Sequence, residues 1–205
     1  GYPSYPGKKQ MRWGMIYRSA EIDSLEHCSR RELKNLGIKT LIDLRTPSEI
    51  GRQSPLQKGF NVVHIPLATG DMEDILQGIR EEKIKCDTVY RMVERMNRTL
   101  IDKYTKEYRQ IFDILLDKTN YPVVIHCSSG KGRTGIVSAL VLAALGVNED
   151  IIMEDYRLSN DYFNIPRASK YAYRLPTRSQ EAITTLFSAR EDFLNAAKDE
   201  AERKY

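Results

Sequence analysis

The stretch Tyr121-Pro122-Val123-Val124-Ile125-His126-Cys127-Ser128-Ser129-Gly130-Lys131-Gly132-Arg133-Thr134-Gly135 decides how the rest of the chain is read. Its opening is a β-branched run introduced by a turn signal, the pattern of a buried strand. Its end starts the apolar run from Thr134 to Leu145, which stops at Gly146. That run is expected to be a helix buried all round, with a glycine just past its last turn. Between strand and helix lies a glycine-containing loop with a thiol at one end and a guanidinium at the other. The handover predicts an α/β fold with a mainly parallel central sheet flanked by helices. It also puts the loop at the carboxyl end of a strand, where open α/β sheets bind ligands.

The residue types in the loop fit one task, gripping and attacking a phosphate. Backbone N–H groups of Ser128, Ser129, Gly130, Lys131 and Gly132 can converge into an anion nest at the positive end of the helix. Gly130 and Gly132 let the backbone approach an anion without a Cβ in the way. Cys127, at the bottom of the nest, is expected to be held as a thiolate by the helix N-terminus. Arg133 offers a planar fork matched to two phosphate oxygens. Cys28 and Cys86 have no arginine six residues on and read as packing residues. Lys131 would add a second positive charge at the pocket wall, suiting multiply phosphorylated ligands; an exposed lysine is the plain alternative. His126 reads either as a residue that orients the loop or as a hydrogen-bonded core histidine.

His126-Cys127, five intervening residues, then Arg133-Thr134 resembles the signature of the cysteine-dependent protein tyrosine phosphatases. Trp13-Gly14-Met15-Ile16-Tyr17-Arg18-Ser19, Leu36 through Arg45 and Glu154-Asp155-Tyr156-Arg157-Leu158-Ser159-Asn160 follow the order of one bacterial branch. That branch contains tyrosine and dual-specificity phosphatases that also act on phosphoinositides. The resemblance implies a dual-specificity-phosphatase-like fold and metal-independent hydrolysis of phosphomonoesters through a phosphocysteine, with no cofactor. Cys127 would be the nucleophile and Arg133 would bind the transferring group. The Thr134 hydroxyl would bond the sulfur and ease its departure. Phosphotyrosine or another phosphoprotein residue is the expected substrate, and a phosphoinositide or inositol phosphate is the alternative.

Gly132 stands where the branch usually carries aspartate, and Lys131-Gly132-Arg133 resembles the loop of inositol-lipid phosphatases. The glycine removes one candidate acid, so Asp71, after the turn-like Pro66 to Gly70, is expected to be the proton donor. An N-cap for a helix over Met72 to Ile79 is its equal alternative. Asp74 and Asp43 are reserves, Asp43 being expected to be held by Arg45 or another structural partner. Two rival classes stay open: a phosphate-binding module without turnover, and a sulfurtransferase carrying a persulfide on Cys127.

Composition bounds these readings. With 205 residues, 41% of them hydrophobic, the chain can bury one sizeable core, and no linker-like stretch divides it. A flexible arm over residues 1–9 and a single phosphatase domain over 10–205 are expected. The branch carries an Asn-x-Arg-Asp stretch before Gly-Gly-Tyr, whereas this chain starts at Gly1-Tyr2, so a trimmed or processed start is expected. Three cysteines favour a reducing compartment, the cytoplasm; a processed start would also fit a secreted or periplasmic protein. A net charge of +4 suits a phosphorylated protein, peptide or inositol lipid, and is too mild and dispersed for nucleic acid. No apolar run has the length of a membrane span.

Other local signals sketch the frame. Ser29 to Glu32 and Thr46 to Glu49 read as capping boxes, with strands expected at Lys39 to Leu44 and Asn61 to Ile65. Asp87 to Asp117 carries a continuous helical stripe expected to pack on a sheet. Asn148 should cap a helix through Leu158, and Ser188 to Glu191 should start the last helix. The basic set Arg167, Lys170, Arg174 and Arg178, set among tyrosines, reads as a solvated face or as a substrate rim.

Overall fold

The structure is a computed structural model that describes residues 1–5, 8–22, 27–50, 59–70, 72–162 and 172–205. The strands are β1 (Pro3–Ser4), β2 (Lys9–Gln10), β3 (Ile16–Ser19), β4 (Thr40–Asp43), β5 (Asn61–His64) and β6 (Val123–His126). The helices are α1 (His27–Asn35), α2 (Met72–Arg80), α3 (Cys86–Lys103), α4 (Thr105–Leu116), α5 (Gly132–Ala144), α6 (Glu149–Arg157), α7 (Ser159–Tyr162), α8 (Thr177–Phe187) and α9 (Glu191–Lys204). Contacts group the chain into two compact units, Gly1–Ala68 with Tyr104–Tyr156, and Thr69–Lys103 with Arg157–Tyr205.

The first unit is built on a parallel four-stranded sheet in the order β3-β6-β4-β5. The register aligns Tyr17, Val124, Leu41 and Val62 in one row, and these side chains share a face. Ile22, Ile38, Phe60 and Leu33 of α1 cover that face. The opposite face carries α5, packed on β3 and β6. Covered on both sides and flanked by two strands, β6 buries all four of its residues. That is why Val123-Val124-Ile125 reads as an unbroken apolar run. The expected α/β sheet with helices on its faces is therefore present.

Several local expectations need correction in this unit. Pro3–Ser4 and Lys9–Gln10 pair as an antiparallel ribbon of β1 and β2. The ribbon is tied down by Tyr5 N–H donating to Gly146 O at 2.6 Å and by Tyr2 donating to Asp155 Oδ1 at 3.0 Å. The last turn of α5 is open, with Leu145 just beyond it 46% exposed, so this helix is not buried all round. Ser29 lies inside α1 rather than at its start. Thr46 to Glu49 forms a turn that keeps half of the box, with Thr46 N–H donating to Glu49 Oε2 at 2.8 Å. Asn148 caps α6 as expected, accepting from Asp150 N–H at 2.8 Å.

The stripe over Asp87 to Asp117 is two helices, broken at Tyr104, which leaves the helical region at φ −110°, ψ 30°. Its hydroxyl accepts from Ala68 N–H at 3.0 Å and reaches Ala68 O at 3.3 Å. In the second unit α3 buries Val89 and Val93 against Ala182, Ile183, Leu186 and Phe193, so this half of the stripe packs on helices rather than on a sheet. Met92, Met96 and Cys86 fill in around that cluster, as packing residues. The helix α9 starts after Arg190, and Ser188 bonds back to Thr184 O at 2.6 Å, closing α8 instead of opening α9. No helix among the described residues is long and apolar enough to cross a membrane.

Candidate active site

The carboxyl ends of the sheet strands meet around residues 127–133. Leu44 N–H donates to His126 O at 2.9 Å, Ile65 N–H to Asp43 O at 2.9 Å, and Glu21 N–H to Ser128 O at 3.2 Å. The strand-loop-helix passage thus stands where expected, with Cys127 buried just beyond β6 and Gly132 opening α5. Gly130 N–H donates to Cys127 Sγ at 3.2 Å. Gly130 must be glycine: its φ is +67°, and a Cβ would stand 2.6 Å from Ala20 N and from Ser19 C. A Cβ at Gly132, by contrast, meets nothing within 4 Å, so no packing demand explains that glycine.

Arg133 is held from several sides. Its Nη1 donates to Glu49 Oε2 at 2.6 Å, to Leu67 O at 3.2 Å and to Leu44 O at 3.3 Å. Its Nη2 donates to Glu49 Oε1 at 2.6 Å. The same carboxylate oxygen accepts from Ser128 Oγ at 2.6 Å. Burial pushes the Glu49 carboxyl up, but the bonds from Arg133, Ser128 and Thr46 outweigh it and bring it down to about 2. Burial works against the charge of Arg133 as well, and Glu49 and Cys127 more than restore it, so its pKa is raised. The fork is therefore charged and fixed at the carboxyl ends of β4 and β6.

Glu49 was not among the expected site residues. Its signal was the Thr46 to Glu49 capping pattern, which identified a carboxylate turned back on its own backbone but not its bidentate partner 84 residues away. Lys131, expected at the pocket wall, is only 6% exposed. Burial lowers its ammonium to about 7, with the Cys127 charge opposing. Ser129 is half-buried. The Thr134 hydroxyl is fully buried and makes no hydrogen bond among the described residues, so the expected bond to the cysteine sulfur is not formed here.

Asp43 is held by Arg45, as expected, through Nε to Oδ1 at 2.9 Å and Nη2 to Oδ2 at 2.6 Å. Burial raises its pKa, and the Arg45 bonds with the nearby His126 pull it below the ordinary carboxylate value. An ionised, bidentate-paired carboxylate is a poor proton donor. His126 is buried with Nε2 3.9 Å from Asp43 Oδ2, in a side-by-side register position. Asp71 lies outside the described residues, as do Phe163, Arg167, Lys170 and Tyr171 of the proposed rim and the side chain of Cys28. Asp74 is exposed in the first turn of α2, in the second unit.

A family model described as "Tyrosine phosphatase family" matches residues 1–205. The triple specificity protein phosphatase PtpB of Mycobacterium tuberculosis is 29% identical over 178 residues, which cover 74% of this chain and 63% of that protein. A tyrosine-protein phosphatase of Nostoc commune is 28% identical over 152 residues, covering 71% of this chain and 48% of that protein. The inositol diphosphatase DSP4 of Arabidopsis thaliana is 39% identical over 49 residues, or 24% of this chain and 25% of that protein. The chain thus spans between a quarter and two thirds of the length of these relatives.

Proposed function

This chain belongs to the tyrosine phosphatase family, and from that premise we propose that it is a metal-independent phosphomonoester hydrolase acting on phosphotyrosine or other phosphoprotein residues. The observation that carries the reading is the buried Cys127 with Gly130 N–H at 3.2 Å from its sulfur, in a loop that ends on the doubly held Arg133. The sulfur attacks phosphorus, the S–P bond forms and the P–O ester bond breaks as the leaving oxygen takes a proton. Water then attacks phosphorus, the S–P bond breaks, phosphate leaves, and the proton lost by water returns to the acid. Arg133 and the loop N–H groups of Ser128 to Gly132 balance charge on the non-bridging oxygens in both steps. Asp71 is the proposed acid and base, and Thr134 is proposed to bond the sulfur during its departure. Residues 10–205 are proposed to work as one phosphatase domain.

The test is single-turnover chemistry. The unaltered chain is expected to release one equivalent of p-nitrophenol in a burst, and Cys127→Ser to lose all turnover while keeping its fold and its affinity for phosphate. Turnover retained in Cys127→Ser would overturn the assignment, and binding with no burst in the unaltered chain would identify a phosphate-binding module. Asp71→Ala is expected to slow phenyl phosphate far more than p-nitrophenyl phosphate; equal slowing removes Asp71 as the donor. A second reading, an inositol phosphate or phosphoinositide substrate, is favoured by Lys131 as an added cation beside Cys127. The ratio of kcat/KM for a phosphotyrosine peptide to that for an inositol phosphate decides between them.

A further inference from the structure

A second polar thread ends on the nucleophile and begins in the N-terminal ribbon. Arg18 lies on β3 in register with Ile125 of β6. Its Nη2 donates to Gly130 O at 3.1 Å, and its Nη1 donates at 2.8 Å both to Asp155 Oδ2 and to Asp155 O. Tyr2 donates to the other carboxylate oxygen, Asp155 Oδ1, at 3.0 Å. The Arg18 and Asp155 side chains are only 20% and 15% exposed, so the pair is largely shielded from water. Burial, and next the Asp155 charge, push the Tyr2 phenol up to about 12, so it remains a donor at any pH a catalytic assay uses.

Gly130, one of the two glycines of the loop, stands at a φ of +67°, and its N–H meets the sulfur. A residue that can rotate so freely needs its carbonyl anchored if its N–H is to stay aimed. We propose that Arg18, oriented by Asp155 and through it by Tyr2, is a positioning residue that fixes the Gly130 carbonyl and thereby keeps the Gly130 N–H on Cys127 Sγ. The fork is suited to this because one nitrogen is locked by a carboxylate while the other points at the loop. The proposal rests on Cys127 being the reactive thiolate of the reading above.

The experiment follows the alkylation of Cys127 by iodoacetamide as a function of pH in the full chain, read by mass spectrometry at the Cys127 peptide. Melting temperature and steady-state kinetics on p-nitrophenyl phosphate are measured beside it. In Arg18→Met the midpoint of the alkylation profile is expected to rise by about one unit, the tenfold effect of losing one aligned donor to a charged sulfur. The kcat is expected to fall about tenfold with KM changed less than about twofold. Arg18→Lys, with one centre instead of a fork, is expected to recover part of both, and Tyr2→Phe to move them about twofold. Asp155→Asn, which keeps its shape, carries the test if Arg18→Met does not fold. Midpoints unmoved in Arg18→Met and Asp155→Asn, with only the melting temperature lowered, would overturn the proposal. Because alkylation needs no turnover, an inactive unaltered chain would sink the phosphatase reading and still leave the thread to be judged by its alkylation profile.

Discussion

Replacing Glu49 by glutamine tests how far Arg133 depends on its carboxylate. The two bonds are both 2.6 Å and both charge-assisted, a class that contributes about 1.5–3 kcal/mol each. Glu49 is 32% exposed, so solvent screening argues for the lower end, about 3 kcal/mol for the pair. Glutamine keeps one acceptor and turns the other position into a donor facing Nη, so about half, roughly 1.5 kcal/mol, is lost. At 1.36 kcal/mol per factor of ten, kcat should fall about tenfold if Arg133 must be held where it stands. The melting temperature should fall by about 3–6 °C for a chain of this size. Saturating inorganic phosphate should narrow that deficit, because the ligand supplies the missing counter-charge. The pH dependence has a defined sign. The carboxyl is depressed from 4.5 to about 2, so its contribution is complete above pH 4.5 and disappears as pH falls toward 2. The stability gap between the unaltered chain and Glu49→Gln should close over that window in denaturant titrations. A kcat equal to or above that of the unaltered chain would refute the reasoning, because the carboxylate would then be competing with phosphate for Arg133 rather than placing it.

Three further outcomes are expected. Since burial brings the Lys131 ammonium to about 7, its positive charge is progressively lost as pH rises through neutrality; KM for p-nitrophenyl phosphate should rise several-fold from pH 6 to 8, and Lys131→Met should flatten that rise. Gly130→Ala puts a Cβ 2.6 Å from Ala20 N at a φ of +67°, so a loss of about 2–4 kcal/mol and near-complete loss of turnover are expected; a melting temperature within a degree of the unaltered chain would contradict the contact. Gly132→Asp meets open space and places a carboxylate in the first turn of a helix, so the fold should hold; the rate on phenyl phosphate relative to p-nitrophenyl phosphate should rise if a loop carboxylate can deliver the proton, and an unchanged ratio denies it that role.

What could be read in advance was what is local. The strand into Cys127, the loop and the helix out of it are contiguous, and each stretch carries its own period and punctuation. The Asp43–Arg45 pair spans two residues and was equally accessible. The Glu49–Arg133 and Arg18–Asp155 pairs join residues 84 and 137 positions apart, and nothing in either local pattern names the partner. The helix break at Tyr104 was hidden because apolar residues continue at helical spacing on both sides. What interrupts the helix there is a tertiary bond to Ala68, not a glycine or a proline. The β1–β2 ribbon was no easier to read, because Pro3–Ser4 and Lys9–Gln10 carry no strand period and the bonds that seat it, from Tyr2 to Asp155 and from Tyr5 to Gly146, are long-range.

The sheet order has a consequence for how the chain reaches its reactive state. β6 lies between β3 and β4, both of which precede it, and it is made only after α2, α3 and α4. Until it inserts, β3 and β4 each present an open inner edge, the kind of edge that invites pairing with other chains. Closing so long an excursion is entropically costly and slow compared with forming any of the helices. The loop that follows β6 can take shape only once that last strand is seated, because its supports, Glu21 N–H, Arg18 and Glu49, come from segments far earlier in the chain. An incomplete or newly made chain therefore carries Cys127 without the loop that surrounds it in the folded protein. Rapid alkylation at this one cysteine becomes a clock for the final event of folding.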